Sequence, residues 1–257
     1  GGCNPSNNEL ALILKNGAKT DIKNNLGNLV LHTFCLNNPS VIGLCLLLQH
    51  VSNRKKIINT MNNSGLTPFH YLCMNNSSTE SIYILLKCGA DINLRTDEDL
   101  TPLHLICSNN PSIESIKLLL KFGADINIKD HNDNTILYYL LNAKNIKKGM
   151  ISFFIKNGVN INRKNKNGDN VLFNYLYSNN FNKKIILELF ENGINFYDKN
   201  KGGANPIDYI KTKNKKKYIK CVEIYNNKLH KILIANTYLI DDLLNIVYNY
   251  LFVNYNF

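Results

Sequence analysis

No stretch of this sequence approaches the roughly eighteen uninterrupted apolar residues that a membrane-spanning helix needs. The most apolar run, Ile240 to Phe252, is broken by Asp241, Asp242, Asn245 and Asn249, so a soluble chain without membrane contact is expected. The amino end carries no charged-then-apolar leader, and the seven cysteines are odd in number and scattered. Together these point to a reducing, cytosolic-type compartment without disulfides. Tryptophan is absent while Asn, Lys, Ile and Tyr are abundant, a bias that AT-rich coding explains more easily than protein physics does. Also missing are a Walker-type phosphate loop, a Gly-x-Ser-x-Gly elbow and a dinucleotide fingerprint. Nothing proposes a reaction, so neither enzymatic activity nor a cofactor is expected.

Carboxylates are the scarcer charge. Nineteen Asp and Glu face thirty Lys and Arg, a formal net charge of +11 that favours acidic partners without choosing among them. With 257 residues and 44% hydrophobic content, the chain can bury one elongated core or two compact ones.

Self-comparison decides between those shapes. Gly65-Leu66-Thr67-Pro68-Phe69-His70-Tyr71-Leu72-Cys73 returns thirty-four residues later as Asp99-Leu100-Thr101-Pro102-Leu103-His104-Leu105-Ile106-Cys107. Worn copies flank the pair: Gly27-Asn28-Leu29-Val30-Leu31-His32 before it, and Asp133-Asn134-Thr135-Ile136-Leu137-Tyr138, Asp169-Asn170-Val171-Leu172-Phe173 and Ala204-Asn205-Pro206-Ile207-Asp208 after it. His32 and His70 stand four residues further apart than the period allows, which places an insertion at Gln49 to Lys56. A second marker keeps the same phase: Asn16-Gly17-Ala18, Cys88-Gly89-Ala90-Asp91, Phe122-Gly123-Ala124-Asp125, Asn157-Gly158-Val159-Asn160 and Asn192-Gly193-Ile194-Asn195.

Each unit therefore reads as a helix, a tight turn and a second helix stopped by a Gly that can take positive φ, followed by an extended finger to the next unit. Thr101-Pro102 opens a first helix, where the missing proline N–H costs nothing. Asn109-Asn110-Pro111-Ser112 breaks it, and Ile113, Ile116 and Leu118 to Leu120 supply the apolar face of the second, which one unit cannot bury alone.

Thr-Pro-Leu-His followed by Leu-Leu-Leu-Lys-Phe-Gly-Ala-Asp-Ile-Asn resembles the ankyrin-repeat consensus over roughly residues 3 to 226. The resemblance implies an all-α ankyrin solenoid, helix-turn-helix units with short β-hairpin fingers, and protein binding as its purpose. Residues 1–227 are assigned to this array, with a truncated first repeat and about six further or partial repeats. Cys3-Asn4-Pro5-Ser6 aligns with the interhelix turn at Asn110-Pro111-Ser112, so the chain is expected to open inside a repeat, with Gly1-Gly2 as an appended scar. Target contacts in ankyrin proteins come from fingers and the inner face of first helices. That implication singles out the fingers Arg95 to Leu100, Lys129 to Asn134 and Arg163 to Asp169, and within them Arg95, Asp97 and Glu98, Lys129 and His131, and Arg163 and Lys166.

His-x-x-Cys recurs at His32 and Cys35, His70 and Cys73, and His104 and Cys107, but at the repeat period, so the pairs sit one per layer, roughly 10 Å apart. Four ligands cannot converge, and no metal is expected. By the ankyrin resemblance His70 and His104 hold the start of the first helix through hydrogen bonds with Thr67 and Thr101; the cysteines serve as small core residues. Asp97-Glu98-Asp99 reads as a solvated finger, and neither it nor Asp241-Asp242 has a partner for acid-base work. The Lys211 to Lys220 run could neutralise phosphates, yet Ile210, Tyr218, Ile219, Val222 and Tyr225 can form a buried stripe opposite it, so a solvated face is favoured over a nucleic-acid partner.

After Asn227 the period disappears, and residues 228–257 form a separate helical tail. Its Leu239-Ile240-Asp241-Asp242-Leu243-Leu244-Asn245-Ile246-Val247-Tyr248-Asn249-Tyr250-Leu251 is similar to the opening of an F-box, with Ile240 where that family has proline and only six residues after Leu251. The Cys-x-x-Asn-Pro-Ser turns at Cys35 to Ser40 and Cys107 to Ser112 resemble the ankyrin proteins of poxviruses, which carry such a truncated F-box-like (PRANC) segment at the carboxyl end. By that resemblance Leu239, Asp242, Leu243, Leu244, Val247, Tyr248 and Leu251 would meet the Skp-type linker of a host cullin-RING ubiquitin ligase. The repeats would hold a host protein, in the host cytoplasm or nucleus. The blander reading of the tail is a cap for the open end of the solenoid, the array then acting as a scaffold or inhibitor.

Overall fold

The computed structural model describes residues 7–37, 40–75, 78–109, 111–178, 182–213, 219–224 and 226. In chain order the helices are α1 (Asn7–Lys15), α2 (Val30–Leu36), α3 (Val41–His50), α4 (Arg54–Ile58), α5 (Pro68–Met74), α6 (Thr79–Lys87), α7 (Pro102–Asn109), α8 (Ile113–Lys121), α9 (Ile136–Asn142), α10 (Met150–Lys156), α11 (Val171–Tyr177), α12 (Lys183–Glu191) and α13 (Pro206–Lys213). Residues 219–224 are helical again. Among the described residues there is no β-strand; the fingers are tight turns rather than paired ribbons.

First helices stack on first helices: α2 on α5, α5 on α7, α7 on α9, α9 on α11 and α11 on α13. Second helices form the other row, in which α1 meets α3, α3 meets α6, α6 meets α8 and α10 meets α12. The two rows enclose one continuous apolar layer. Leu72, Ile82 and Leu85 of one unit, Ile116 and Leu119 of the next, then Leu137, Ile151 and Phe154, and finally Leu172, Ile186 and Leu189 are completely buried. Each helix is too short to persist alone in water, so this stacking, and not helix propensity, holds it.

Local chemistry fixes where each helix begins. Thr67 Oγ1 accepts from the His70 amide while His70 Nδ1 accepts from the Thr67 amide at 3.1 Å, a reciprocal cap that satisfies two otherwise orphaned donors. Second helices start on serine: Ser40, Ser78 and Ser112 accept from the amides of Gly43, Ser81 and Ser115. The fourth pair departs from this. Gly149, at φ 87°, opens α10 with no side-chain cap of its own. Its amide and that of Ser152 donate instead to the Glu188 carboxylate of α12, at 3.2 and 3.1 Å. Glu188 is 6% exposed, and these two donors account for a buried acid.

The insertion is accommodated beyond α3. The chain leaves that helix at Val51, turns through Asn53 at φ 45° and makes the single turn α4, which buries Ile57 and Ile58. By Asn59 the common register is restored. The Asn59 side chain donates to the Gly89 carbonyl at 2.8 Å and accepts from the Asp91 amide at 2.8 Å. Asn93 makes the same fork to Gly123 and Asp125, and Asn162 to Gly193 and Asn195.

The expected buried stripe near the Lys run is corrected. Ile210 is buried, but Ile219 is 45% exposed, and Cys221 and Ile224 are the residues of 219–224 that turn inward. A spacing of three puts these two on one helical face, and Ile219 lies off it. Lys211 and Lys220 are exposed, whereas Tyr218 and Tyr225 lie outside the described residues.

Candidate protein-binding surface

Six fingers share one piece of hardware. Asn24, Asn62, Thr96, Asp130, Asn165 and Asn200 each turn a side-chain oxygen back onto the amides two and four residues ahead. These Asx- and Thr-turns close the loop locally, so the tip residues are free to vary. Three residues beyond the turn residue the backbone must enter the left-handed region, and Gly27, Gly65, Gly168 and Gly203 do so without a Cβ penalty. Asp99 and Asp133 occupy the same place at φ 61° and 63°. Aspartate is among the few side chains that tolerate it.

Adjacent fingers are joined by backbone hydrogen bonds in a fixed register. The amides of Asn63, Asp97, His131, Lys166 and Lys201 donate to the carbonyls of Leu26, Ser64, Glu98, Asn132 and Asn167, at 2.9 to 3.5 Å. Side chains repeat the link: Asn62 donates to Asn28, Asn165 to Asn134 and Asn200 to Asp169. The fingers thus form one continuous edge whose tips are held in line.

Two tyrosines brace this edge from the inner helices. Tyr71 accepts from the Asn62 side chain at 3.1 Å, and Tyr139 donates to Asp130 at 2.6 Å. Burial would raise the Asp130 pKa, but hydrogen bonds from Tyr139, from the Asn134 side chain and from the amides of Asn134 and Asn132 outweigh it and hold this carboxyl below its usual range. Asp130 is therefore a structural anion, its acceptors all used.

The histidines lie beneath. His70 accepts at Nδ1 from Thr67, so its proton sits on Nε2 and is donated to the Leu94 carbonyl at 3.0 Å. His32 Nε2 bonds a different carbonyl of the following finger, Leu66 O at 3.1 Å, while His104 Nε2 is buried without a partner in hydrogen-bonding geometry. Burial depresses all three rings from 6.5 to about 4, which keeps them neutral. Cys35, Cys73 and Cys107 are completely buried, and that burial pushes their thiols well up. Among the described residues no group of three His, Cys, Asp or Glu could hold a metal ion.

Of the residues expected to contact a target, Arg95, Lys129, His131 and Lys166 line one shallow groove across the third, fourth and fifth fingers, together with Asp99, Asp125 and Asp133. Asp97, Glu98 and Arg163 are exposed but lie outside that groove. His131 is pinned by its Nδ1 to the Glu98 carbonyl at 3.1 Å. Asp99 and Asp133, which lie within the expected finger spans 95–100 and 129–134, pair with Arg95 at 3.4 Å and Lys129 at 2.6 Å. That each pairs with the cation four residues before it follows from the finger turn between them, which the sequence spans alone do not show. The F-box-like residues Leu239, Asp242, Leu243, Leu244, Val247, Tyr248 and Leu251, and the Asp241-Asp242 pair, lie outside the described residues.

A solenoid of stacked helix pairs with a rigid finger edge offers the extended surface on which repeat proteins bind other proteins. A family model of ankyrin repeats, three copies long, matches residues 3–96 and again residues 69–147, and the chain belongs to the ankyrin-repeat family. No curated protein matches the sequence significantly. Ankyrin-repeat proteins are in general non-enzymatic scaffolds that bind protein partners. No described helix is long and apolar enough to cross a membrane.

Proposed function

We propose that this scaffold is a substrate adaptor of viral origin, working in the host cytoplasm or nucleus. Its finger edge holds a host protein, and residues 239–251 bring in the Skp-type linker of a host cullin-RING ubiquitin ligase. The observation that carries the binding half is the edge itself, six fingers hydrogen-bonded in register with exposed tips that differ from unit to unit. The recruiting half is supported by the spacing of Leu239, Asp242, Leu243, Leu244, Val247, Tyr248 and Leu251 behind a repeat array. A helical segment laid in a linker's groove, tethered to a receptor for the target, raises the target's effective concentration at the ligase without a catalytic residue of its own.

The test is affinity capture of the host Skp-type linker by the full chain and by Leu243→Asp with Leu244→Asp. Linker recovered by the wild type and lost in the variant is the expected result. Equal recovery from both, or background recovery from both, defeats the recruiting half. Background recovery together with a less stable last repeat is what a purely occluding scaffold with a capping tail predicts.

A further inference from the structure

The finger edge changes sign along its length. Between Asp91 and Asp99 four carboxylates face one cation, and between Asn160 and Asp169 three cations face one carboxylate. The tips carry the change. Asp97 and Glu98 on the third finger are exposed, His131 stands on the fourth, and Lys166 and Lys201 are exposed on the fifth and sixth. The finger bases leave the contrast to the tips. Arg95 and Lys129 are each met by an aspartate of their own finger, Asp99 and Asp133, and Lys164 of the fifth finger, where Gly168 takes that place, is met by Asp198 of the sixth at 3.8 Å. Because the tips are tied by backbone hydrogen bonds, the gradient is fixed in space and cannot average out by loop motion.

We infer that the edge docks an extended segment of a partner protein whose two ends carry opposite charge, cationic over Asp97 and Glu98 and anionic over Lys166 and Lys201. This rests on the protein-binding reading above. Three repeat steps of roughly 10 Å separate the third and sixth fingers, a span that about nine extended residues cover. A uniformly acidic segment, which the net charge of the whole chain would suggest, meets like charge on the third finger; a basic one meets it on the fifth and sixth. Only a charge-segregated segment is matched throughout, and its direction is then set.

The probes are two synthetic peptides of identical composition, one with a run of Lys at one end and a run of Glu at the other, one with the same residues alternating. Affinity is measured at low salt, where exposed charges are least screened, for the full chain, for Asp97→Lys with Glu98→Lys, for Lys166→Glu with Lys201→Glu, and for all four changes together. The wild type is expected to prefer the segregated peptide by about tenfold. Each half-reversal should abolish that preference, and the fourfold reversal should restore it with the peptide turned end for end. All four sites are exposed tips, and unchanged denaturation midpoints confirm that folding is intact. Equal affinity for the two peptides, or a preference that survives either half-reversal, overturns the inference. Host protein captured from lysate equally by the wild type and the half-reversed chains also overturns it while leaving the protein-binding reading in place; no capture by any of them brings down that reading itself.

Discussion

The central pair of repeats, residues 65–132, and the pair after it, residues 133–204, share a backbone but hold it with different side chains. In the central pair, His70 and His104 anchor the first helix from within, and Ser78 and Ser112 cap the second. In the following pair Tyr138 and Phe173 take the histidine places, Asn170 caps α11 by itself, and α10 borrows Glu188 from the next unit. The finger turns barely differ between the two regions. What the family motif encodes at helix starts is thus replaceable by another oxygen at α10 and α11, and at α9, where Thr135 makes no side-chain cap, it is dispensable. The fingers allow a narrower exchange, Asn, Asp or Thr at the turn and Gly or Asp at the left-handed place, because these two residues are the loop.

The largest way to separate the two regions is acid. His32, His70 and His104 titrate near 4 when folded and near 6.5 when unfolded, so between those values the unfolded chain binds more protons. Stability should be level above about pH 7 and fall as pH drops through that window, by roughly 2 kcal/mol per ring at pH 5. Asp130, held below its usual range, would add a further loss beneath about pH 4. Amide hydrogen exchange at pH 7.5 and pH 5 reads the location. Protection should weaken first in α2, α5 and α7, and later in α9 to α12; uniform weakening would remove the histidines as its cause.

Next in size is Glu188. Glu188→Ala removes the one carboxylate that accepts from the amides of both Gly149 and the half-buried Ser152, at a cost of about 2 kcal/mol, whereas Ser112→Ala in the central pair removes one ordinary cap, about 1 kcal/mol. Urea titration of the two variants gives the comparison directly. Equal losses would mean that Glu188 is no more than a surface-type cap.

Most of the fold was legible because the repeat phrase states it twice almost unchanged, at Gly65 to Cys73 and Asp99 to Cys107. The cross-unit role of Glu188 was not, since its partners Gly149 and Ser152 lie thirty-nine and thirty-six residues away on another helix. The face turned inward at 219–224 was misread for a similar reason. Ile219, Val222 and Tyr225 have helical spacing, yet so do Cys221 and Ile224, and only the packing partner chooses. Of the candidate surface, exposure could be anticipated from finger positions. The grouping of Arg95, Lys129, His131 and Lys166 in one groove needed the interfinger register, which is a backbone property.

The smallest expected effect tests how interchangeable the fingers are. Asp99 sits at φ 61° where four other fingers use Gly, so Asp99→Gly relieves the left-handed strain but loses the exposed Arg95 pair and loosens the unfolded chain. These contributions are each under about 1 kcal/mol and oppose one another, and the net change should stay within about 0.5 kcal/mol. The reverse exchange is not symmetrical. A Cβ at Gly65 would lie 2.7 Å from the Asp97 amide nitrogen, inside the interfinger hydrogen-bonded contact, so Gly65→Asp must push two fingers apart. A loss of about 1 to 3 kcal/mol is expected for it by urea titration. If both exchanges prove neutral, the fingers are independent loops and the charge gradient along their tips loses its rigid frame.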